Sequence, residues 1–297
     1  MTPEAYLPAD LRTATIEKIN VGLSGAGVYK VTAGDAAYGL KIYEAPIDPT
    51  LREAAGAAGV GPKVAFVDPT RRAVLSELIV DGGFMPILMN PATRARAIAS
   101  LGAALRRVHD LPLDPNAAPA DPRGFLERII SSLANLNAPA WVRDAQDRAL
   151  AEPMPPSERT LVTSHNDVNP SNLVWDGERI VLLDWDTAAP NDPLYDLAAA
   201  ATFMRFDGDA CRALLEAHDG VAPETLPARF AYWRRMVATL CGSIFLMLAR
   251  HGGYTGNAEG PTLAEAYAEM RAGTLSVAGG EGQWRFGLAL LRESLGL

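Results

Sequence analysis

Between residues 15 and 80, apolar and polar positions alternate in short runs with the period of a half-buried strand. "TIEKINVGL", "VYKVTA", "AYGLKIY", "KVAFVD" and "AVLSELIV" are separated by the turn-forming clusters "SGAG", "GDA" and "PTRR", and they predict five strands. One interruption, "DPTLREAAGAAGVGP", opens with Asp48 and Pro49 at cap and first-turn positions and closes with Gly59, Gly61 and Pro62. It predicts a single short helix. After "DGG" (81–83) the period lengthens. "TRARAIASLGAALRRVH" sets Ile98, Leu101, Leu105 and Val108 on one face at helical spacing, and helical stretches continue from there. The expected organisation is α+β: residues 1–82 form a small sheet-rich lobe with one helix, and residues 83–297 form a mainly helical lobe carrying one hairpin.

In that hairpin "LVW" and "RIVLL" flank Asp176-Gly177, a strong turn signal. A two-residue turn sets Trp175 opposite Glu178 and Asn172 opposite Val181; a four-residue loop sets Asn172 opposite Leu183. Either register folds the loop before the hairpin back toward the acidic residues after it.

Composition narrows the function classes. The chain has 297 residues, 48% of them hydrophobic and 21% charged, which is ordinary for a folded chain and far from the pattern of disorder. A net charge of −8 argues against a nucleic-acid or anionic-membrane partner, because a phosphate backbone needs a clustered basic surface. Cys211 and Cys241 alone give no disulfide framework and fit a reducing compartment. The N-terminal "MTPEAYLPADLR" has neither a basic nor an apolar signal region, so a cytoplasmic location is expected. The longest apolar stretch, "VATLCGSIFLMLA" (237–249), falls short of the ~20 residues of a bilayer span and reads as a core helix.

The candidate chemistry sits around the hairpin, in "SHNDVNPSNLVWDGERIVLLDWD" (164–186). "NDVNPSN" alone is what an ordinary polar loop looks like. The context is more specific: Mg²⁺ takes carboxylate and amide oxygens and keeps phosphate and water in its other positions. Asn172, five residues after Asp167, and Asp184, after four apolar residues, supply such oxygens. Asp167 is left free to accept a proton from an attacking hydroxyl. Phosphate donors are expected from the first lobe. Ser24, Gly25 and Gly27 lie in the turn of "LSGAGVYKV", where glycine lets backbone N–H groups approach phosphate. Lys41 falls on the strand face opposite Leu40 and Ile42, and it is one of four lysines beside 23 arginines. A lysine is a compact charge suited to phosphate oxygens; Lys30 is its rival.

The order His165-x-Asp167-x4-Asn172, then a hairpin, then Asp184 is a phosphoryl-transfer layout. With "LLDWD" and "NDPLYDLA" (191–198), it resembles the aminoglycoside phosphotransferase and choline kinase superfamily, over roughly residues 20–200. The resemblance implies a protein-kinase-like two-lobed fold and an ATP- and Mg²⁺-dependent transfer to the hydroxyl of a small molecule. It implies that Glu53 pairs with Lys41, although Thr50-x-x-Glu53 is equally a capping-box pattern. It also implies that Glu77, Leu78 and Ile79 meet the adenine edge, that His165 orients the loop, and that Asp196 braces it. Asp186 is a candidate metal or substrate contact, and Trp185 a candidate substrate contact.

A cationic substrate, choline- or ethanolamine-like or aminoglycoside-like, is expected from the acids Asp186, Asp192, Asp207, Asp209 and Glu216. Phe203, Tyr232, Trp233 and Tyr254 could add cation-binding ring faces, against the more ordinary reading that aromatics at helical spacing are core. A catalytically silent nucleotide-binding scaffold or sensor is the alternative. A metal-dependent hydrolase is a third reading and would need a further acidic or histidine cluster.

Overall fold

The computed structural model describes residues 2–19, 27–79, 82–133 and 137–297. Its packing divides into two compact units: Met1–Asn116 with Val162–Ala188 and Ala213–Ala222, and Ala117–Leu161 with Ala189–Arg212 and Pro223–Leu297. The 82/83 change of composition falls inside the first unit.

The first unit begins with an antiparallel sheet of β1 (Thr15–Ile19), β2 (Gly27–Ala33), β3 (Ala36–Ile42), β4 (Val64–Val67) and β5 (Ala73–Glu77), in the order β1-β2-β3-β5-β4. Alternation does what the sequence asks. Leu7, Val31, Leu40, Ala73 and Leu75 form one buried core, while Val28, Gly39 and Lys41 share the opposite face, Lys41 standing across from Val28 in the register. Helix α1 (Thr50–Ala57) is the single α-helix among the described residues before Phe84. Asp48 starts it by accepting the Thr50 backbone N–H at 3.0 Å and the Thr50 hydroxyl at 2.6 Å. Thr50 is the first residue of the helix, not its cap, and the Glu53 N–H donates to the Pro49 carbonyl at 2.9 Å, so no Thr50–Glu53 capping box forms.

Helices α2 (Phe84–Met89) and α3 (Arg94–His109) follow, and α3 buries the expected stripe of Ile98, Leu101, Leu105 and Val108. Next come α4 (Pro122–Ser132), α5 (Ala140–Ala151), β6 (Val162–Ser164) and the hairpin β7 (Leu173–Trp175)–β8 (Ile180–Leu182). The hairpin takes the four-residue loop: Leu173 pairs with Leu182 and Trp175 with Ile180, and the Leu183 N–H donates to the Asn172 carbonyl at 2.8 Å. Asp176 decides this by accepting the backbone N–H groups of Glu178 and Arg179 at 3.0 and 2.9 Å, while Gly177 takes φ +101°. The hairpin is tied to the sheet side of the unit at two points. The Leu182 N–H donates to Val60 at 2.8 Å and the Trp175 N–H to Gly82 at 3.1 Å.

The remaining elements are β9 (Ala189–Asn191), α6 (Pro193–Phe203), α7 (Gly208–Asp219), α8 (Ala228–His251), α9 (Leu263–Ala272) and α10 (Gly280–Gly296). In the second unit α8 packs against α4, α5, α6 and α10. Gly242 and Gly287 let α8 and α10 approach closely: a Cβ on either would lie 2.8 Å from the other's carbonyl oxygen. The apolar stretch 237–249 is interior to α8, and among the described residues no helix is long and apolar enough to cross a membrane. Cys211 is buried and Cys241 half-buried, both as free thiols.

Candidate functional site

Asp167 and Asn172 are held together by the loop they share. Asn172 Nδ2 donates to Asp167 Oδ2 at 2.7 Å and to the Asp167 carbonyl at 3.0 Å, and Asn169 Nδ2 donates to Asp167 Oδ1 at 2.9 Å. Asn169 in turn accepts the Ser171 N–H at 2.9 Å, so the "NPSN" turn aims both amides at one carboxylate. Burial raises the Asp167 pKa above the ordinary carboxylate value, against the pull of these donors. Asn169 was not singled out from the sequence, where it is one turn former among several.

His165, fully buried, joins this loop to the hairpin's exit. Its Nε2 lies 2.9 Å from the Leu183 carbonyl and its Nδ1 accepts the Asp167 N–H at 3.3 Å. Thr187 Oγ1 donates to the His165 carbonyl at 3.0 Å. The residue after Leu183, Asp184, takes φ +59° and ψ +78°, a left-handed conformation that costs a non-glycine residue about 1–2 kcal/mol. Strain of this kind persists where the surrounding structure enforces it and gathers at functional positions.

Asp184 meets the sheet through Lys41, whose Nζ lies 2.8 Å from Asp184 Oδ1 and 2.7 Å from Asp186 Oδ2. Burial alone would depress the lysine, but the two carboxylates outweigh it and raise its pKa. For Asp186 burial alone would raise the pKa, and Lys41 and Arg52 outweigh it to hold the carboxyl below its usual range. Asp184 Oδ2 and Asn172 Oδ1 make no hydrogen bond to any described residue. These are two unspent hard oxygens, a donor set suited to Mg²⁺ completed by phosphate and water. Among the described residues there is no group of three or more His, Cys, Asp or Glu side chains able to hold a metal, so the further cluster a metal-dependent hydrolase needs is not found there.

A cleft of about 200 Å³ opens beside this cluster, lined by Val28, Gly39, Lys41, Val74, Leu78, Ile79 and Leu183 among others. Of the three candidates for the adenine edge, the Glu77 N–H is taken by the Lys63 carbonyl at 2.9 Å and the Leu78 N–H by Ala37 at 3.3 Å. The Ile79 backbone makes no hydrogen bond to a described residue. Gly27 opens β2; Ser24 and Gly25 lie outside the described residues. Lys30 shares the Lys41 face of the sheet but does not line the cleft and makes no ion pair among the described residues.

Several expectations are corrected. Glu53 does not pair with Lys41: it is exposed on α1 and makes no side-chain hydrogen bond or ion pair, because the lysine's reach is filled by Asp184 and Asp186. Its neighbour Arg52 faces the cleft instead, with Nη2 2.7 Å from Asp186 Oδ1 and its guanidinium 5.4 Å from the centre of the Tyr43 ring. Trp185 lines the cleft but offers a substrate little surface: the residue is 6% exposed, its Nε1 donates to the Leu182 carbonyl at 2.9 Å, and it packs edge-on against His165.

The acids offered for a cation are largely spent in the second unit. Asp192 caps α6 and pairs with Arg229, Asp207 accepts the Ala210 N–H at 2.8 Å, and Asp209 pairs with Arg212. Glu216 is exposed. Phe203, Tyr232 and Trp233 are buried core residues, leaving Tyr254 alone part-exposed. Asp196 lies on α6, fully buried. Arg52 and Tyr43 were missed by sequence reading; Tyr43 carried a signal, two positions after Lys41 on the same strand face, and Arg52 none.

The comparisons with known proteins fit this geometry. Protein LicA of Haemophilus influenzae is 33% identical over 61 residues, and the match spans only 23% of that protein's length and 20% of this chain. A choline/ethanolamine kinase family protein from Mesorhizobium loti superposes with a TM-score of 0.60 at 22% identity, over 95% of this chain and 93% of that one. Spectinomycin phosphotransferase, solved with ADP and spectinomycin, superposes with a TM-score of 0.62 at 11% identity, also over 95% and 93%. The α+β kinase-like fold expected from the sequence is thus the fold observed. The family model described as the phosphotransferase enzyme family covers residues 84–236, about half of the chain, and takes in the whole run from α2 through the Asp167 loop and the hairpin to α8; the chain belongs to that family.

Proposed function

We propose that this protein transfers the γ-phosphoryl group of ATP to the hydroxyl of a small, amine-bearing molecule, with Mg²⁺ as its metal. The observation that carries the reading is the 2.8 Å contact between Lys41 and Asp184. It sets the strand lysine suited to phosphate beside the carboxylate suited to metal, while the hairpin brings the Asp167–Asn172 loop to the same exit.

Asp167 accepts the proton of the attacking hydroxyl. Burial raises its pKa, which makes its carboxylate a better base than an ordinary one. The amides of Asn169 and Asn172 fix its direction, and His165 fixes the loop. Lys41 binds nucleotide phosphate oxygens, with the cleft between β2 and Leu183 receiving the base. Asn172 and Asp184 would hold Mg²⁺, which when bound neutralises charge on the transferring phosphate. The chain's own contribution is positioning and charge placement, with no covalent intermediate. The amine in the acceptor is inferred from the named substrates of the relatives, choline or ethanolamine and spectinomycin.

Calorimetric titration with ATP, with and without Mg²⁺, tests the nucleotide half of this reading. A panel of amino alcohols, aminoglycosides, thiamine and sugars read by ADP release tests the acceptor half. ATP should bind more tightly with Mg²⁺, and at least one amine-bearing alcohol should stimulate ADP release. Mg²⁺-independent binding, with no acceptor stimulating release, would refute it.

A further inference from the structure

Residues 52 and 53 are neighbours on α1, and a helix turns successive side chains about 100° apart. The two therefore point in different directions: Arg52 lines the cleft and Glu53 is exposed. Arg52 is the one inside, with its side chain 16% exposed. It is fixed from three directions: by Asp186 at 2.7 Å, by the Asp48 carbonyl at 3.4 Å and by the face of Tyr43. The same ring lies 5.6 Å from Lys41 Nζ, and the Tyr43 hydroxyl donates to Asp186 Oδ1 at 3.4 Å. Two cations thus share one aromatic face and one carboxylate.

We propose that Asp186 and Arg52 are positioning residues for Lys41, with the Asp186 carboxylate bridging β3 and α1 in place of a direct lysine–glutamate pair. The inference rests on the nucleotide role assigned to Lys41 above. Its logic is one of occupancy. Lys41 touches two carboxylates; Asp184 keeps an unspent oxygen, whereas both oxygens of Asp186 are engaged, Oδ2 by Lys41 and Oδ1 by Arg52 and Tyr43. Asp186 is therefore the partner whose oxygens are committed to holding the ammonium group in place. Arg52 anchors that carboxylate to the helix. A guanidinium suits the task because it stays charged and stacks on an aromatic face while bonding a carboxylate.

The test combines Arg52→Met, Arg52→Lys, Asp186→Asn, Glu53→Gln and the Arg52→Met/Asp186→Asn double variant, each checked for folding by thermal melting. Two quantities are read. The first is the rate at which an amine-reactive reagent labels Lys41 without nucleotide, mapped by mass spectrometry against the other three lysines, Lys18, Lys30 and Lys63. The second is ATP affinity by calorimetry beside the acceptor KM.

Arg52→Met should speed Lys41 labelling several-fold while leaving Lys63 unchanged. It should weaken ATP binding about tenfold, or ~1.4 kcal/mol, without moving the acceptor KM. Arg52→Lys should recover part of both. The double variant should be no worse than Asp186→Asn alone, since each change breaks the same link. A merely structural role for Arg52 would lower the melting temperature without selectively exposing Lys41. Unchanged Lys41 labelling in Arg52→Met, additive losses in the double variant, or an equal effect of Glu53→Gln would overturn the proposal. If wild-type protein binds no ATP while the labelling pattern is as expected, the proposed function fails, and what stands is that Asp186 and Arg52 hold the Lys41 ammonium group in place.

Discussion

Asp167→Asn separates proton acceptance from everything else the loop does. The wild-type carboxylate accepts one amide on each oxygen, at 2.9 and 2.7 Å. An asparagine keeps one acceptor and turns a donor toward the other amide, so one of the two bonds is lost. A hydrogen bond to a charged group is worth about 1.5–3 kcal/mol, but here the loss is partly offset. Burial raises the Asp167 pKa in the folded protein, so between its unfolded and folded pKa values the native state binds more protons, and the group's contribution to stability falls as pH rises through that window. Removing the charge relieves that burden, so the variant should lose less stability than the broken hydrogen bond alone would cost.

The loss of turnover should be larger, ~10²–10⁴-fold, equivalent to about 3–5.5 kcal/mol of barrier. ADP release with a verified acceptor, beside calorimetric ATP binding, reads both. ATP affinity should stay close to wild type while kcat falls. The base works only when deprotonated, so wild-type kcat should also drop on acidification through a limb displaced upward from the ordinary carboxylate value, and the variant should lack that limb. Wild-type turnover in Asp167→Asn, or an unchanged acid limb, would refute the base assignment.

Asp184→Ala should weaken ATP binding and abolish its response to Mg²⁺; a normal Mg²⁺ response in calorimetry would make Asp184 a structural acid. Leu40→Ala, in the fully buried sheet core, should cost about 2–5 kcal/mol and lower the urea midpoint without changing the slope; a loss well under that range would mean that the core can collapse around the site. Replacing the acceptor's amine by a neutral isostere should lower kcat/KM, while equal values would remove the cationic-substrate proposal and leave phosphoryl transfer standing.

The parts of this molecule set by local periodicity were readable in advance. Period-two alternation gave the five strands and the face of Lys41, and helical spacing gave the buried stripe of α3. The Asp167–Asn172 loop was readable because the two residues are close in sequence and their loop closes on itself. What could not be read depended on contacts between distant segments. The hairpin register turned on whether the Asp176 side chain would accept two backbone N–H groups, which the "DG" pair alone leaves open. Glu53 was chosen because the family resemblance implies a helix glutamate beside Lys41, but the lysine found its acids 143 and 145 residues away, and the rotation of α1 presented Arg52 instead. The arginine partners and helix caps that occupy Asp192, Asp207 and Asp209 are likewise invisible to composition.

The most direct test of phosphoryl transfer is to follow the phosphorus NMR spectrum of purified protein with ATP, Mg²⁺ and the amine-bearing acceptor that best stimulates ADP release. A phosphomonoester resonance should grow in step with ADP for the wild type and be nearly absent for Asp167→Asn under identical conditions. ADP accompanied only by inorganic phosphate, or an equal yield of ester from Asp167→Asn, would contradict it.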